Sequence, residues 1–224
     1  MKLALFDVDG TLMDSQAMIL ASFTAAFGAE GLPLPSRAEM LGIVGLSLVK
    51  AMSVLRPDDE PERHERLAQA YKQAFWSYRT SNAYPETPFD GAIDLLCRLS
   101  ARDDVLVGIA TGKSQRGMRH LIERFGLEGI FATIQTSDDA PSKPHPGMIL
   151  QAMAECGVEA SDTVMIGDAV FDIEMAHAAR VKTIAVNWGF QSLTALERAG
   201  PHGIVNDYGE LEERLLAFWQ EVPA

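Results

Sequence analysis

Near its amino terminus the chain reads Leu3-Ala4-Leu5-Phe6-Asp7-Val8-Asp9-Gly10-Thr11. A short, nearly continuous apolar run that ends in aspartate is typical of a strand buried on both faces of a parallel sheet. Asp7 and Asp9 are two residues apart, so an extended backbone points both carboxylates to the same side. Gly10 then lets the chain turn without a Cβ clash. We therefore predict a buried first strand with an acidic carboxyl end.

Similar apolar runs recur further along the chain and alternate with helical patterns. The other predicted strands are residues 105–110, 131–135, 163–166 and 183–186. The predicted helices between and after them are residues 89–101, 114–125, 147–156, 170–179 and 193–199. Strands that alternate with helices of about ten residues imply crossover connections and a parallel sheet. The predicted fold class is α/β, with a doubly wound, Rossmann-like parallel sheet at its core.

The alternation stops between residues 13 and 84, where only helical patterns are found. Asp14 is placed to cap a first helix, Ser36 and Glu39 have the spacing of a capping box, and Pro61 suits the first turn of a longer helix. On that longer helix the apolar side chains form one stripe, which we interpret as core packing: Leu67, Ala70, Tyr71, Ala74, Phe75 and Tyr78.

Residues 84–88 contain two prolines and are predicted to form a stiff linker back to the sheet. The length of 224 residues allows one large domain or two small ones. We predict an α/β core domain made of residues 1–13 and 85–224, with a small all-helical cap domain, residues 14–84, inserted after the first strand.

The charge balance limits the classes of partner. Acidic residues number 31 and basic residues 19, for a net charge of −12. A protein that binds nucleic acid through phosphate contacts needs a basic stripe, so this balance argues against such a partner. The longest apolar runs have strand length and fall short of the roughly 20 residues of a membrane span. No targeting segment is recognised, and we expect a cytoplasmic protein that does not bind membranes.

The two cysteines, Cys97 and Cys156, offer neither a disulfide framework nor a zinc quartet. We expect both to be small buried apolar side chains in a reducing compartment.

Polar side chains follow several of the predicted strands, where open parallel sheets bind their ligands. They are Asp7, Asp9 and Thr11 after the first strand, Thr111 and Gly112 after the second, Lys143 beyond the third, and Gly167 and Asp168 after the fourth. Asp172 shares a helix face with Asp168, so four carboxylates face one ammonium. This excess of negative charge predicts a hard cation with oxygen ligands, and Mg²⁺ is the ion we expect. It also predicts that one carboxyl keeps its proton when an anionic substrate binds.

Four segments in order resemble the motifs of the haloacid dehalogenase-like hydrolase superfamily, above all its phosphoglycolate phosphatase-like members. They are Asp7-Val8-Asp9-Gly10-Thr11, Thr111-Gly112, Lys143-Pro144-His145-Pro146 and Gly167-Asp168-Ala169-Val170-Phe171-Asp172. The resemblance covers nearly the whole chain, because the helical insert lies where that group carries its cap domain.

The resemblance implies a role for each motif residue. Asp7 attacks phosphorus and forms an aspartyl-phosphate, while Asp9 protonates the leaving oxygen and later deprotonates the attacking water. Thr111 and the backbone near Gly112 bind phosphoryl oxygens, and Lys143 offsets negative charge. These roles belong to a phosphatase, because dehalogenating members lack an acid at the position of Asp9.

The resemblance also implies how the metal is held. Mg²⁺ would be bound by the side chains of Asp7 and Asp168 and the backbone carbonyl of Asp9, with waters completing the shell. Asp172 would orient a metal-bound water or Lys143.

The leaving group is the open question. The break at residues 44–47 is expected to place Gly45 and Ser47 over Asp9, and Lys50 and Arg56 are either surface charges or partners of an anionic leaving group. Lys113 resembles the lysine of a nucleotide-binding loop, but we expect it to be solvated or at the phosphate rim.

The leading hypothesis is hydrolysis of a small organic phosphate such as 2-phosphoglycolate, by a monomer or homodimer. The alternatives are a sugar-phosphate mutase, a nucleotidase, a pyrophosphatase, or a phosphonoacetaldehyde hydrolase that uses Lys50. Outside enzymes, a phospho-accepting signalling domain or a silent scaffold stays open.

Overall fold

A computed structural model describes residues 1–220 of the chain. The strands are β1 (Lys2–Phe6), β2 (Met13–Asp14), β3 (Thr87–Pro88), β4 (Val105–Ala110), β5 (Thr133–Gln135), β6 (Thr163–Gly167), β7 (Lys182–Val186) and β8 (Gly203–Val205). The helices are α1 (Gln16–Ala29), α2 (Arg37–Gly42), α3 (Leu48–Leu55), α4 (Pro61–Ser81), α5 (Ala92–Ser100), α6 (Gln115–Phe125), α7 (Gly147–Cys156), α8 (Val170–Ala179), α9 (Leu193–Ala199) and α10 (Tyr208–Gln220). The predicted α/β class is confirmed.

Six strands form one parallel sheet in the order β5-β4-β1-β6-β7-β8. The strand order reverses at β1, which pairs with β4 on one side and β6 on the other. Phe6, the last residue of β1, lies opposite Ile109 on one neighbour and Ile166 on the other. This register brings the carboxyl ends of the three central strands to the same level, at the switch point of a doubly wound sheet.

Alternate residues of β1 pack on opposite faces of the sheet. Ala4 and Phe6 belong to a cluster with α5, α6 and α10, while Leu3 and Leu5 belong to one with α7 and α8. All four side chains are 0% exposed. Burial on both sides explains why the sequence of this strand is apolar without a period of two.

Helices α1 to α4, which we call the helical insertion, have an apolar core of their own. Phe23 and Phe27 of α1, Met52 of α3, and Leu67 and Tyr71 of α4 are buried together. The Phe23 and Tyr71 rings meet edge to face with their centroids 4.9 Å apart. The two-domain division at residues 14–84 stays a prediction; the structure shows that these helices share a core distinct from the two clusters on the sheet.

The chain enters and leaves the helical insertion through a two-stranded antiparallel ribbon. Met13 pairs with Pro88 and Asp14 with Thr87. The predicted linker at residues 84–88 therefore ends in a strand, which proline allows at a sheet edge. Ser15, rather than Asp14, is the residue that precedes α1.

The sequence analysis missed β8 and α10. The strand β8 has three residues and carries too little periodicity to be recognised. The expectation that both cysteines are buried is wrong: both are free thiols, but Cys97 is exposed and Cys156 is half-buried. Cys97 lies on the side of α5 away from the sheet, since its neighbours Leu95, Leu96 and Leu99 fill the core. Within residues 1–220, no helix is long and apolar enough to cross a membrane.

We expect Phe27→Ala to destabilise the helical insertion by about 3–5 kcal/mol, because it removes a ring that is 0% exposed. If the insertion is a separate domain, hydrogen exchange measured by mass spectrometry will accelerate in α1 and α4 more than in β1 and β6. Leu96→Ala, which empties the sheet cluster instead, is the matched control and should show the opposite pattern. Equal acceleration everywhere would contradict the two-domain prediction.

Candidate active site

The register of the sheet brings the predicted strand-end residues together. The backbone N–H of Asp7 donates to the carbonyl of Ile166 at 2.8 Å, which continues the β1–β6 pairing by one residue. On the other side of β1, Thr111 follows directly after β4 and its N–H donates to Gln135 at 3.0 Å. Asp7, Thr111 and Asp168 are each at most 2% exposed.

Three carboxylates form a buried acidic cluster at this edge. Asp7, Asp168 and Asp172 each offer an oxygen atom, and these atoms lie within 4.8 Å of one another. Burial, together with the carboxylates of Asp7 and Asp172, raises the pKa of Asp168 well above its usual range. Such a group of carboxylates is unfavourable in the fold unless positive charge is close.

Lys143 supplies part of that charge. Its ammonium donates to Asp7 Oδ1 at 2.8 Å and to Asp172 Oδ1 at 2.6 Å, and the whole side chain is buried. Burial alone would lower the pKa of Lys143, but the carboxylates of Asp172 and Asp7 outweigh it and raise that pKa. Burial also raises the pKa of Asp172, against the attraction of Lys143. One ammonium is thus shared by two of the three carboxylates.

Asp168 is held in place by the groups that pack around it. Thr11 Oγ1 donates to Oδ1 at 3.1 Å and the N–H of Phe190 donates to Oδ2 at 2.8 Å. A Cβ at Gly10 or Gly189 would lie 2.2 or 2.1 Å from atoms of Asp168, so only glycine allows this approach. Buried carboxylate oxygens held rigidly, with more negative than positive charge, fit a hard divalent cation.

The Asp9 carboxylate makes its contacts outside this cluster. Its Oδ1 accepts hydrogen bonds from Ser15 Oγ at 2.5 Å and Lys113 Nζ at 2.8 Å. Of the two motif aspartates, Asp7 is thus held by Lys143 and Asp9 by Lys113, and Asp9 is not part of the acidic cluster. The metal contact expected at Asp9 is its backbone carbonyl, and this stays a prediction.

Of the two expectations for Lys113, solvation is wrong, because its side chain is 6% exposed. Lys113 lines the cavity, and its place at the phosphate rim stays a prediction. Beyond Asp9, its ammonium donates to Glu86 Oε1 at 3.1 Å. Burial alone would lower the pKa of Lys113, yet the carboxylates of Asp9 and Glu86 raise it. Glu86 also accepts from Arg79 Nε at 2.8 Å. The sequence analysis missed Glu86 and Arg79. The one available sign was that Glu86 is a charged residue in a short segment between two prolines.

The predicted residues of the helical insertion lie directly over the strand ends. A Cβ on Gly112 would come within 2.7 Å of the Gly45 carbonyl oxygen, so the two backbones are in close contact. Gly45 has φ +104°, a conformation that favours glycine. The N–H of Ser47 donates to Ser142 Oγ at 2.8 Å, next to Lys143 in the chain. This contact closes the insertion over the site.

A cavity of about 490 Å³ separates the helical insertion from the sheet. Asp7, Asp9 and Thr111 lie on its sheet side. Tyr71, Phe75 and Trp76 of α4 line the other side, so the stripe interpreted as core packing also faces the cavity. The apolar surfaces of these three aromatic rings are suited to contact the organic part of a ligand.

Two cationic side chains that the sequence analysis did not single out line the cavity. Lys72 and Arg116 line it, and the guanidinium of Arg116 lies 3.4 Å from the centre of the Trp76 ring. Lys50 is not among the lining residues, and Arg56 pairs with Asp59 at 2.9 Å. Of the two readings left open for Lys50 and Arg56, the structure supports surface charges.

We expect a divalent cation to stabilise the protein through the acidic cluster. At 100 times its Kd a ligand adds about 2.7 kcal/mol, which raises Tm by about 5–10 °C for a chain of this size. Asp168→Asn should abolish the shift, as measured by scanning calorimetry with and without Mg²⁺. An equal shift in the variant would contradict the site.

Without the cation, we expect the Asp168 carboxylate to destabilise the folded protein at neutral pH. The pKa of Asp168 is raised above its ordinary 3.8 in the folded protein. The resulting stabilisation is present below pH 3.8 and is lost as the pH rises toward the raised pKa. We therefore expect the metal-free Asp168→Asn variant to melt above the wild type at pH 7, and the difference to shrink toward pH 4. A difference in melting temperature that does not depend on pH would contradict the raised pKa of Asp168.

Comparisons with known proteins show the family to which this chain belongs. The family model for haloacid dehalogenase-like hydrolases matches residues 4–186. The Dickeya dadantii protein named "Probable phosphatase IndB" is 32% identical over 93% of this chain and 91% of its own length. The pyrophosphatase PpaX of Oceanobacillus iheyensis is 30% identical, with 92% and 93% covered.

A phosphoglycolate phosphatase of Agrobacterium fabrum is 29% identical over 95% of this chain and 91% of its own. The crystal structure of a hydrolase from Pseudomonas syringae superposes with a TM-score of 0.85 at 26% identity, covering 97% of this chain and 99% of that one. The chain therefore belongs to the haloacid dehalogenase-like hydrolases, where it falls in the phosphoglycolate phosphatase-like group of phosphatase enzymes.

Proposed function

We propose that this enzyme is a Mg²⁺-dependent phosphatase that hydrolyses a small organic phosphomonoester through an aspartyl-phosphate on Asp7. The observation that carries the proposal is the position of the Asp7 carboxylate. It is 1% exposed, yet it lines the cavity and is held by Lys143. A carboxylate that is fixed, charged and open to a ligand on one side is suited to act as a nucleophile.

In the first step an Asp7 oxygen forms a bond to phosphorus as the bond from phosphorus to the leaving oxygen breaks. The electron pair of that bond stays on the leaving oxygen, which takes the proton of Asp9. In the second step Asp9 accepts a proton from water, whose oxygen attacks phosphorus and releases Asp7. Asp9 thereby regains its proton, so both groups end as they began.

The remaining motif residues are proposed to position the phosphate and to offset its negative charge. Thr111 and the backbone at Gly112 are proposed to bind phosphoryl oxygens, and Lys143 to offset the charge of the phosphate and of Asp7. The side chains of Asp7 and Asp168 and the carbonyl of Asp9 would hold Mg²⁺. When bound, the ion neutralises charge on the phosphoryl oxygens. Asp172 would act by holding Lys143, which it contacts at 2.6 Å.

The leading substrate is 2-phosphoglycolate, whose leaving group carries a carboxylate. Lys72 and Arg116 line the cavity, and no carboxylate of residues 1–220 forms an ion pair with either. Gly45 and Ser47 would contact the same leaving group from the helical insertion. Pyrophosphate, the substrate class in the name of the PpaX relatives, makes no use of the Phe75 and Trp76 rings. Phosphonate cleavage through Lys50 has no support, because Lys50 does not line the cavity.

An assay of phosphate release distinguishes the proposed phosphatase from the mutase and nucleotidase alternatives and from a non-enzymatic signalling or scaffold role. A phosphatase releases inorganic phosphate from the small phosphomonoester in steady turnover. A cytoplasmic monomer or homodimer that binds neither nucleic acid nor membranes stays a prediction.

We expect Asp7→Asn to lower phosphate release from p-nitrophenyl phosphate by about 10³-fold or more, because it removes the nucleophile. Its Tm should not fall, since the amide relieves repulsion with Asp168. Asp162→Asn is the matched control: it lies at the opposite edge of the sheet, paired with Lys2, and should keep full activity. Retained turnover in a folded Asp7→Asn variant would refute the assignment.

We expect Arg116→Ala to raise KM for 2-phosphoglycolate by about tenfold, since it removes a charge that faces the carboxylate. The kcat/KM for p-nitrophenyl phosphate, which has no carboxylate, should change little. Arg119→Ala is the matched control, because Arg119 is exposed on the same helix and does not line the cavity. Equal effects on both substrates would argue against carboxylate recognition by Arg116.

A further inference from the structure

A row of buried charges connects the helical insertion to Asp9. Arg79 Nη2 and Nε donate to Glu86 Oε2 at 2.5 and 2.8 Å, and Lys113 donates to Glu86 Oε1 at 3.1 Å and to Asp9 Oδ1 at 2.8 Å. The side chains of Arg79, Glu86 and Lys113 are 3%, 0% and 6% exposed. We call these three residues the buried ion row.

Each member of the buried ion row comes from a different element. Arg79 is in the last turns of α4, Glu86 precedes β3 where the chain returns to the sheet, and Lys113 follows the strand end at Thr111. The row therefore crosses from the helical insertion to the sheet at their junction, and it ends on Asp9 in the cavity.

Stability alone does not explain the row. Buried ion pairs contribute little net stability, because the cost of removing charges from water offsets their attraction, and apolar residues of similar size often serve as well. Breaking such a pair, in contrast, is costly, so the row is rigid once formed. A rigid polar array that ends on a reactive carboxyl is suited to hold that carboxyl in one orientation.

The contacts of Asp9 show which orientation is held. Lys113 and Ser15 both donate to Oδ1, whereas no protein group within residues 1–220 donates to Oδ2. A carbonyl-type oxygen accepts these bonds whether the carboxyl is ionised or neutral. The two donors therefore occupy Oδ1 in both states and leave Oδ2 as the oxygen that can carry a proton.

We propose that Lys113 and Glu86 are positioning residues for Asp9: the buried ion row fixes the carboxyl so that Oδ2 gives its proton to the leaving oxygen. The proposal rests on the proposed function. As the bond from phosphorus to the leaving oxygen breaks and the bond from Asp7 to phosphorus forms, the Oδ2 proton passes to the leaving oxygen and Asp9 becomes a carboxylate. Lys113 contacts Asp9 directly, Glu86 acts through Lys113, and Arg79 acts through Glu86.

Leaving groups that differ in their need for a proton test this role. p-Nitrophenolate departs without protonation, whereas the alkoxide of β-glycerophosphate needs a proton. The rate constant of the first leaving-group release would be measured by quenched flow in single turnovers, with enzyme in excess and Mg²⁺ present. The quantity compared is the ratio of the β-glycerophosphate rate constant to that of p-nitrophenyl phosphate.

We expect Lys113→Met to lower this ratio by about 10- to 100-fold. This is less than the roughly 10²- to 10⁴-fold that general acid catalysis contributes, because the carboxyl is misplaced and not removed. Glu86→Gln should lower it less, and Arg79→Met least, in the order of their distance from Asp9. Lys113→Arg, which keeps a cationic donor, should restore part of the loss. Partial unfolding lowers both rate constants equally, so the ratio stays informative even where a variant is poorly folded.

Asp59→Asn is the matched control, because it breaks the Arg56–Asp59 ion pair of the helical insertion away from the cavity and should leave the ratio unchanged. An unchanged ratio in both Lys113→Met and Glu86→Gln would overturn the positioning role. That result would leave the proposed function intact provided the wild type hydrolyses both substrates. A wild type that hydrolyses neither would refute the proposed function itself.

Discussion

The repulsion among three buried carboxylates is the constraint on which the rest of this structure depends. Asp7, Asp168 and Asp172 offer oxygens within 4.8 Å of one another at the end of the central strand. Lys143, itself buried, contacts two of them. Three features hold these carboxylates together against their repulsion. They are the glycines around Asp168, the hydrogen bonds that Thr11 and Phe190 donate to it, and the register of β1 between β4 and β6. A divalent cation would relieve this repulsion, because it adds positive charge that Lys143 alone does not supply.

Positive charge in the site is divided between two lysines with separate duties. Lys143 contacts Asp7 and Asp172 of the acidic cluster, while Lys113 is shared by Asp9 and Glu86. The division keeps the proposed nucleophile and the proposed acid, two residues apart in the chain, in different electrostatic surroundings. Two nearby carboxyl groups can then take the different roles proposed for them, one as nucleophile and one as proton donor and acceptor.

The helical insertion contributes both a lid and a wall. Its backbone at Gly45 rests on Gly112, where any side chain would separate the two, and its helix α4 places rings and cations across the cavity from Asp7. Under the proposed function, the insertion would exclude water from the reacting groups and present the surface that a leaving group must match.

The sequence by itself determined the parallel sheet, the helical nature of residues 16–81 and the strand-end set Asp7, Asp9, Thr111, Lys143 and Asp168. Strand ends are readable because a strand buried on both faces is apolar until it leaves the sheet, and a charged residue there marks the edge. Only the tertiary structure decided the partners of those residues. Glu86 lies in the predicted linker and Lys113 was expected to be solvated or at the phosphate rim, yet both side chains are buried. Their pairing could not be predicted, because ion pairs between segments 27 residues apart leave no periodic pattern. The same reason hid Arg116, whose place opposite Trp76 depends on how α4 packs over the sheet.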